Sequence, residues 1–119
     1  MKKAAAAAVL VVLLACSACS SGGSAKGSED ARAACAVLQG LPRPLPEVPT
    51  DSADRAGQAA ADSVMNRLGA ARELADAAAL ADSAHQALAD AAEKAQAAPV
   101  RTFSYRSADP YITEALKHC

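Results

Sequence analysis

Cysteine has the widest chemical range of the residues in this chain of 119, and it occurs four times. A cysteine thiol attacks electrophiles, binds metals or pairs with a second thiol, and its spacing and redox compartment decide between these roles. Two of the cysteines lie close together near the N-terminus and two lie far apart, at positions Cys16, Cys19, Cys35 and Cys119. The N-terminal pair and the distant pair therefore point to different chemistry.

The residues before Cys16 have the features of an export signal. Lys2 and Lys3 give a positive start, and eleven apolar residues follow from 4 to 14. A helix of eleven to twelve apolar positions reaches about 18 Å, whereas the hydrocarbon core of a membrane is about 30 Å thick. We therefore expect cleavage of this segment rather than a membrane-spanning helix.

Leu13, Leu14 and Ala15 run directly into Cys16, and this sequence resembles the lipobox of bacterial lipoproteins. In that family the cysteine is lipidated and becomes the new N-terminus. The resemblance implies a signal peptide over residues 1–15 and a lipid anchor on Cys16. It also implies a location at the cell membrane, on its extracytoplasmic face.

Cys19 is the alternative lipidation site, because the parity of the cysteines favours it. Lipidation of Cys19 would remove Cys16 with the signal and leave two cysteines to form one closed pair. The lipobox favours Cys16, because Leu13 is the apolar residue three positions upstream, whereas Cys19 has Cys16 in that place.

Cys35 and Cys119 are predicted to form a disulfide, because an exported protein folds where disulfides persist. The bond would close 84 positions of chain and contribute about 4 to 5 kcal/mol in the loop-closure model. The alternative is a pair of free thiols used for redox or metal chemistry. His118 beside Cys119 is the nearest thing to a metal-binding fragment, but the sequence spaces no further ligands to complete a tetrahedral site.

The aromatic residues form the one cluster that suggests a contact surface. Phe103, Tyr105 and Tyr111 fall within nine positions of one another, and Arg101 and Arg106 flank the first two. Aromatic residues with arginines are favoured where proteins bind partners. The interpretation we favour is that an extended segment from Val100 to Tyr105 fills gaps at the open end of an alanine-rich bundle, and the contact surface is the alternative.

No catalytic pattern is recognisable elsewhere in the chain. The sequence lacks the GxSxG, HExxH, P-loop and GxGxxG motifs. His85 follows Asp82 by three residues, which places both on one helix face, but two ligands do not make a metal site and a surface histidine or solvated ion pair explains them. We expect no enzymatic activity, no metal and no cofactor.

The charge balance argues against nucleic acid as a partner. The chain has 12 Lys and Arg against 13 Asp and Glu. Without Lys2 and Lys3, 10 basic and 13 acidic side chains remain, a net charge of −3. The basic residues are scattered singly, so no patch is suited to a phosphate backbone.

Small polar residues separate the signal from the helical part of the chain. We predict the lipidated cysteine and a flexible Ser/Gly tether over residues 16–27, followed by one helical domain over residues 28–119. Four prolines make residues 41–49 a stiff, non-helical connector. The expected helices cover about residues 29–39, 52–80, 83–97 and 110–118.

Two of these helices carry apolar stripes with helical spacing. The first stripe runs through Ala61, Val64, Leu68, Ala71, Ala75 and Ala78, and the second through Ala84, Ala87, Leu88, Ala91 and Ala95. Large apolar side chains are scarce, so we expect one thin core. The predicted fold class is a small, Ala-rich, all-α bundle of three to four helices.

The signal, the tether and the Ala/Arg/Asp-rich helical remainder resemble the small lipoproteins of actinobacterial genomes. That resemblance implies a membrane anchor and carries no activity or binding site with it. We expect a non-catalytic interaction or accessory module that contacts the membrane through its anchor and a protein of the cell envelope. The alternatives are a small-ligand or sensing domain with its site near Phe103, Tyr105 and Tyr111, and a hydrolytic enzyme.

Overall fold

The computed structural model describes residues 23–119, which form an all-α bundle. Its four α-helices are α1 over Gly23–Gln39, α2 over Arg55–Ala81, α3 over Gln86–Thr102 and α4 over Asp109–Leu116. Short 3-10 helices at Ser83–His85 and Tyr105–Ala108 precede the last two. The predicted fold class is confirmed for this part of the chain. The lipidation candidates Cys16 and Cys19 lie outside the described residues.

The first helix begins earlier than predicted. α1 starts at Gly23 instead of about residue 29, so the tether predicted over 16–27 is wrong for its last five residues. Gly27 is buried, and a Cβ there would lie 3.2 Å from the Cβ of Ala81 and 3.3 Å from the carbonyl oxygen of Ala78. This close packing against the end of α2 outweighs the weak helix propensity of a glycine-containing sequence.

The stripe predicted for α2 is correct. All six of its members are buried: Ala61, Val64, Leu68, Ala71, Ala75 and Ala78. The helix begins at Arg55 rather than at 52, because Asp54 is its cap and accepts a hydrogen bond from the Gly57 N–H at 2.9 Å. It ends at Ala81, and Asp82 has extended backbone, so α2 and α3 are separate helices as predicted.

The stripe predicted for α3 is only partly correct. Three of its members are buried, whereas Ala84 and Ala87 are exposed. The 3-10 helix Ser83–His85 has a tighter turn than an α-helix, so extrapolating an α-helical period through it misplaces the buried face. The buried residues of α3 are Leu88, Ala89, Ala91, Ala92, Ala95, Ala98 and Pro99.

α3 continues through Pro99 to Thr102, so the predicted end near residue 97 is wrong. Proline has no N–H to donate to the carbonyl four residues earlier. Its ring is buried here, and the following turn keeps its own hydrogen bonds. Thr102 Oγ1 donates to the Ala98 carbonyl and the Phe103 N–H donates to the Pro99 carbonyl, both at 2.9 Å. These contacts offset the missing bond.

The proline-rich connector is non-helical, as predicted, and forms a strap that is fastened to the end of the chain. Leu41 and Leu45 are buried in the core. Arg43 Nε lies 3.0 Å from Asp109 Oδ1, and its Nη2 donates to Thr113 Oγ1 at 3.0 Å. The strap therefore packs along α4 and links the two halves of the sequence.

Cys35 and Cys119 form the predicted disulfide, which joins α1 to a cysteine three residues beyond the end of α4. Their Cα atoms are 5.9 Å apart and the cysteines are separated by 84 positions. The core it closes is thin, because most buried residues are alanines and the largest fully buried side chains are Leu38, Leu45, Leu68, Leu88, Ile112 and Val64. Closing such a loop contributes about 4 to 5 kcal/mol, a large share of a domain's total stability.

The last helix is shorter than predicted. α4 ends at Leu116 instead of residue 118, and residues 117–119 form a turn beyond it. Among the helices of residues 23–119, none combines the length and the apolar character needed to cross a membrane.

Candidate functional site

An exposed apolar surface lies at the C-terminal end of α3. This surface borders an open groove of about 340 Å³. We call the exposed surface the Phe103 surface. Phe103 is 91% exposed, Val100 65% and Val48 50%. The residues of the surface are Val48, Met65, Pro99, Val100, Phe103 and Tyr105. A cluster of large apolar side chains in water is costly, so it marks a contact site more often than a scattered apolar residue does.

Phe103 is held in a backbone conformation that glycine usually occupies. Its φ is 56° and its ψ is 24°, which is the left-handed helical region, and among the described residues it is the only non-glycine residue with positive φ. That conformation costs an ordinary residue about 1–2 kcal/mol. The side chain leaves α3 at this point and projects into solvent. The prediction that an extended Val100–Tyr105 segment fills the open end of the bundle is therefore wrong for Val100 and Phe103.

Glu47 holds the strap, residues 41–49, in place beneath this surface through hydrogen bonds. Its carboxylate accepts hydrogen bonds from Ser104 Oγ at 2.9 Å, from the Arg106 N–H at 3.1 Å and from the Tyr105 N–H at 3.2 Å. Arg106 Nε also lies 3.7 Å from Glu47 Oε1. The carboxylate thus satisfies the free N–H groups at the start of a 3-10 helix. This clamp holds Val48, the next residue, beside the residues that follow α3.

The same contacts change the acidity of Glu47. Desolvation raises the pKa of its carboxyl group, but the hydrogen bonds from Ser104, Arg106 and Tyr105, with the Arg106 charge, outweigh it and lower the pKa below the usual 4.5. Glu47 is therefore ionised at neutral pH, and its clamp is at full strength there.

Tyr105 lies at the inner edge of the surface and packs against the core. Burial raises the pKa of its hydroxyl above the usual 10.0, and the negative charges of Asp62 and Glu47 raise it further. The hydroxyl is therefore protonated under all physiological conditions. Tyr105 is therefore the residue of the Val100–Tyr105 segment for which the predicted filling role is correct.

The structure brings together four of the five residues predicted for the contact patch. Phe103 and Tyr105 line the groove, and Arg106 lies beside it on Glu47. Arg101 lines the adjoining groove, which shares Met65 and Val100 with the Phe103 surface. Tyr111 is separate, because it lines another groove of about 410 Å³ between α3 and α4.

The Phe103 surface and the start of α1 lie at opposite ends of the bundle. α1 begins beside Ala81, at the C-terminal end of α2, whereas Met65 contributes to the surface. These two positions are 16 residues apart on one helix, which corresponds to about 24 Å. The Phe103 surface therefore lies toward the end of the bundle that is remote from the start of α1.

The other residues considered for metal or redox chemistry, two cysteines and two histidines, lie on another face of the bundle. Cys35, Cys119, His85 and His118 line one open cavity of about 390 Å³. No salt bridge joins His85 to Asp82 within residues 23–119, and the Asp82 carboxylate instead accepts a hydrogen bond from the Ala84 N–H at 3.0 Å. Among the described residues, no group of three or more His, Cys, Asp or Glu side chains is arranged to hold a metal ion.

Sequence reasoning missed Glu47, Val48 and Met65 as parts of the candidate site. Glu47 was hidden in a proline-rich segment, where it had no regular spacing relative to the aromatic residues. The signal that could have pointed to it was its position as an acidic residue between buried leucines and an apolar valine.

No protein-family model, curated protein or solved structure matches this chain.

Proposed function

We propose that the protein is a lipid-anchored, non-catalytic interaction module on the extracytoplasmic face of the cell membrane, and that it binds an envelope protein through the Phe103 surface. The observation that carries the proposal is Phe103 itself. A large aromatic side chain is 91% exposed on a backbone position with φ of 56°.

The energetics of Phe103 support a role outside the folded chain. Its exposed ring contributes little to the core, and the left-handed backbone costs about 1–2 kcal/mol. Glycine at this position would avoid that cost. Full burial of an aromatic side chain in a partner, by contrast, contributes several kcal/mol, which is typical of a central residue in a protein interface.

The distance between the two ends of the bundle also favours a protein partner over the anchoring membrane. A lipid attached before α1 would place the Ala81 end of the bundle near the bilayer. The Phe103 surface would then stand about 24 Å farther out. Its occupant is therefore a component of the envelope rather than the lipids that hold the anchor.

The charges beside the surface define the partner's chemistry further. Arg101 is exposed in the groove that continues from Met65 and Val100. Arginine at the edge of an apolar surface binds a carboxylate well, since its guanidinium group forms paired hydrogen bonds. The partner is expected to present an apolar pocket for Phe103 and an acidic residue opposite Arg101.

Photo-crosslinking in the native membrane tests this proposal. A photoreactive phenylalanine analogue replaces Phe103 in the full chain, and the matched control carries it at Leu80, which is also 91% exposed but lies near the opposite end of α2. We expect a discrete adduct with one envelope protein from position 103 and none from position 80. R101E in the same chain is expected to reduce the adduct at least fivefold.

Intact-mass analysis of the membrane-extracted protein tests the anchor separately. A diacylglyceryl mass on a chain that begins at Cys16 supports the lipobox prediction, and a chain that begins at Cys19 supports the alternative. An unlipidated chain that retains residues 1–15 refutes the anchor.

In the crosslinking experiment, equal adducts from positions 103 and 80, or none from either, refute the contact surface.

A small apolar ligand is the second candidate occupant. The groove volume of about 340 Å³ lies within the range of small-molecule sites. It is open along its length, however, and such sites normally enclose most of the ligand surface. A crosslink that yields a lipid-sized mass at residue 103 would favour this second function.

A further inference from the structure

The Phe103 surface is assembled from three parts of the fold. Two of its residues follow α3, one belongs to the strap, and three belong to α2 and α3. In that order they are Phe103 and Tyr105, Val48, and Met65, Pro99 and Val100. The surface keeps its shape only while these parts stay in place relative to one another. We call residues 103–119, which end the chain, the C-terminal arm.

Both charged side chains of the strap bind the C-terminal arm. Arg43 contacts Asp109 and Thr113 of α4, at 3.0 Å in each case. Glu47 accepts three hydrogen bonds of 2.9 to 3.2 Å around the start of the 3-10 helix Tyr105–Ala108. That 3-10 helix runs directly into α4. A displacement of α4 therefore reaches the Phe103 surface both along the chain and through the strap.

The disulfide holds the C-terminal arm against the three long helices, α1 to α3. Among the ion pairs of residues 23–119, none joins α4 to any of these helices. α4 has eight residues, and its buried residues are Ile112 and Ala115. A helix of that length is marginal without further support. Its position against α1 therefore depends on the bond between Cys35 and Cys119.

We propose that the Cys35–Cys119 disulfide is a redox switch for the Phe103 surface, so that the oxidised protein binds its partner and the reduced protein does not. This inference rests on the proposed function of that surface. Reduction releases the C-terminal arm, and the strap then loses the partners of Arg43 and Glu47. The long helices stay packed, because α2 keeps its contacts with both α1 and α3.

The disulfide is accessible from the end of the chain. Cys119 is exposed, whereas Cys35 is buried in α1. A reductant therefore attacks at Cys119, and Cys35 is the leaving group. Arg32 lies one turn before Cys35 and lines the same open cavity of about 390 Å³. A nearby cation stabilises a thiolate, so Arg32 favours the departure of Cys35.

A dithiol protein of the envelope is the reductant that this reaction requires. Its thiolate attacks Cys119 Sγ, and the disulfide breaks with the electron pair on Cys35 Sγ. The second thiolate of the reductant then attacks the mixed disulfide, and Cys119 leaves with the electron pair of that bond. The reductant is thus oxidised to a disulfide, and its two protons end on Cys35 and Cys119.

Amide hydrogen exchange on the full chain tests the release of the C-terminal arm, with dithiothreitol as the reductant. We expect the amides of α4 to exchange at least tenfold faster after reduction and those of α2 to change less than twofold. Equal acceleration in both helices would mean global unfolding. Unchanged exchange in α4 would mean that burial alone holds the arm. Either result overturns the proposal.

Photo-crosslinking from position 103 in the native membrane tests the effect on binding. We expect dithiothreitol to reduce the adduct at least fivefold. Because dithiothreitol also acts on other proteins, the control is Cys35→Ser with Cys119→Ser, which should give the same low adduct without reductant. A full adduct from this variant overturns the switch and leaves the contact surface standing. No adduct under any condition refutes the contact surface and its regulation together.

Arg43→Ala tests the connection through the strap while the disulfide stays closed. It removes the contacts with Asp109 and Thr113, and we expect the adduct from position 103 to fall at least twofold. The matched control is Lys117→Ala, which removes an exposed ion pair with Glu114 that does not involve the strap. The parent's adduct level in the Arg43→Ala chain would mean that the strap does not respond to the arm, which overturns the coupling.

Discussion

Replacing Phe103 by glycine tests whether the protein tolerates backbone strain in order to display an aromatic side chain. The comparison requires Phe103→Ala as well, because both substitutions remove the ring and only glycine removes the strain. A phenylalanine buries about 200 Å² when fully enclosed. Phe103 is 91% exposed, so its loss uncovers a small part of that area and costs about 0.5 kcal/mol in either variant.

The backbone distinguishes the two variants. At φ of 56°, alanine keeps the penalty of about 1–2 kcal/mol, and glycine avoids it but loses about 0.5–1 kcal/mol of chain entropy on folding. The glycine variant should therefore be more stable than the alanine variant by about 0.5–1 kcal/mol, which corresponds to about 2–8 °C in Tm for a domain of this size. Both variants should also lose the crosslink to the partner protein, although Val100 and Val48 would support that crosslink when Phe103 is present.

Urea unfolding followed by circular dichroism measures the stability difference, and crosslinking from position 100 measures the binding. Leu80→Ala is the matched control, because it removes an equally exposed apolar side chain far from the Phe103 surface. A glycine variant less stable than the alanine variant would refute the assignment of backbone strain. A loss of more than about 2 kcal/mol in the alanine variant would mean that the ring packs within the protein, as buried aromatic residues do.

Four further predictions concern the strap, the packing of α2 and the disulfide. Glu47→Gln should lower Tm at pH 7, and the difference should shrink as the pH falls below 4.5. The pKa of Glu47 is lowered on folding, so its contribution is present above pH 4.5 and disappears as pH falls through the folded-state pKa, and a pH-independent difference would refute the clamp. Gly69→Ala should raise the free energy of unfolding by about 0.5–1 kcal/mol, because its new Cβ meets only the far end of the Gln96 side chain at 3.2 Å. Gly57→Ala, whose Cβ would lie 2.5 Å from the ring of Pro49, should lower the same quantity by about 1–3 kcal/mol, and equal effects of the two glycine substitutions would contradict this packing. Cys119→Ser should cost about 2–5 kcal/mol in urea unfolding, and reductant should bring the parent chain to the same value and leave the variant unchanged.

The apolar period and the number of cysteines were sufficient to predict the bundle. The stripe of α2 is regular over 27 residues, so its buried face follows directly from the helical repeat. The disulfide was predicted from the expectation of export and from the scarcity of other cysteines. The prediction of the buried face depends on the periodicity of one segment, and the prediction of the disulfide depends on the redox conditions of one expected compartment.

The errors occurred where distant segments decide the local structure. α1 extends to Gly23 because the end of α2 packs against Gly27, and α3 passes Pro99 because the residue is buried and the next turn keeps its own hydrogen bonds. Likewise, the aromatic residues of one short segment have different fates, since Glu47 organises the turn around Tyr105 and leaves Phe103 in solvent. No local pattern contains this information, because each contact joins residues 50 or more positions apart or depends on tertiary burial.

The disulfide also determines how the protein would respond to tension between an N-terminal attachment and a partner bound at Phe103. Pulling would load α1 up to Cys35, and from there the covalent chain offers two routes. The route through α2 and α3 contains 68 residues, whereas the route through the disulfide and back from Cys119 contains 16. Fully extended, these are about 230 Å and about 55 Å. The shorter branch would become taut first, so α2 and most of α3 would bear almost no load while the disulfide remains closed.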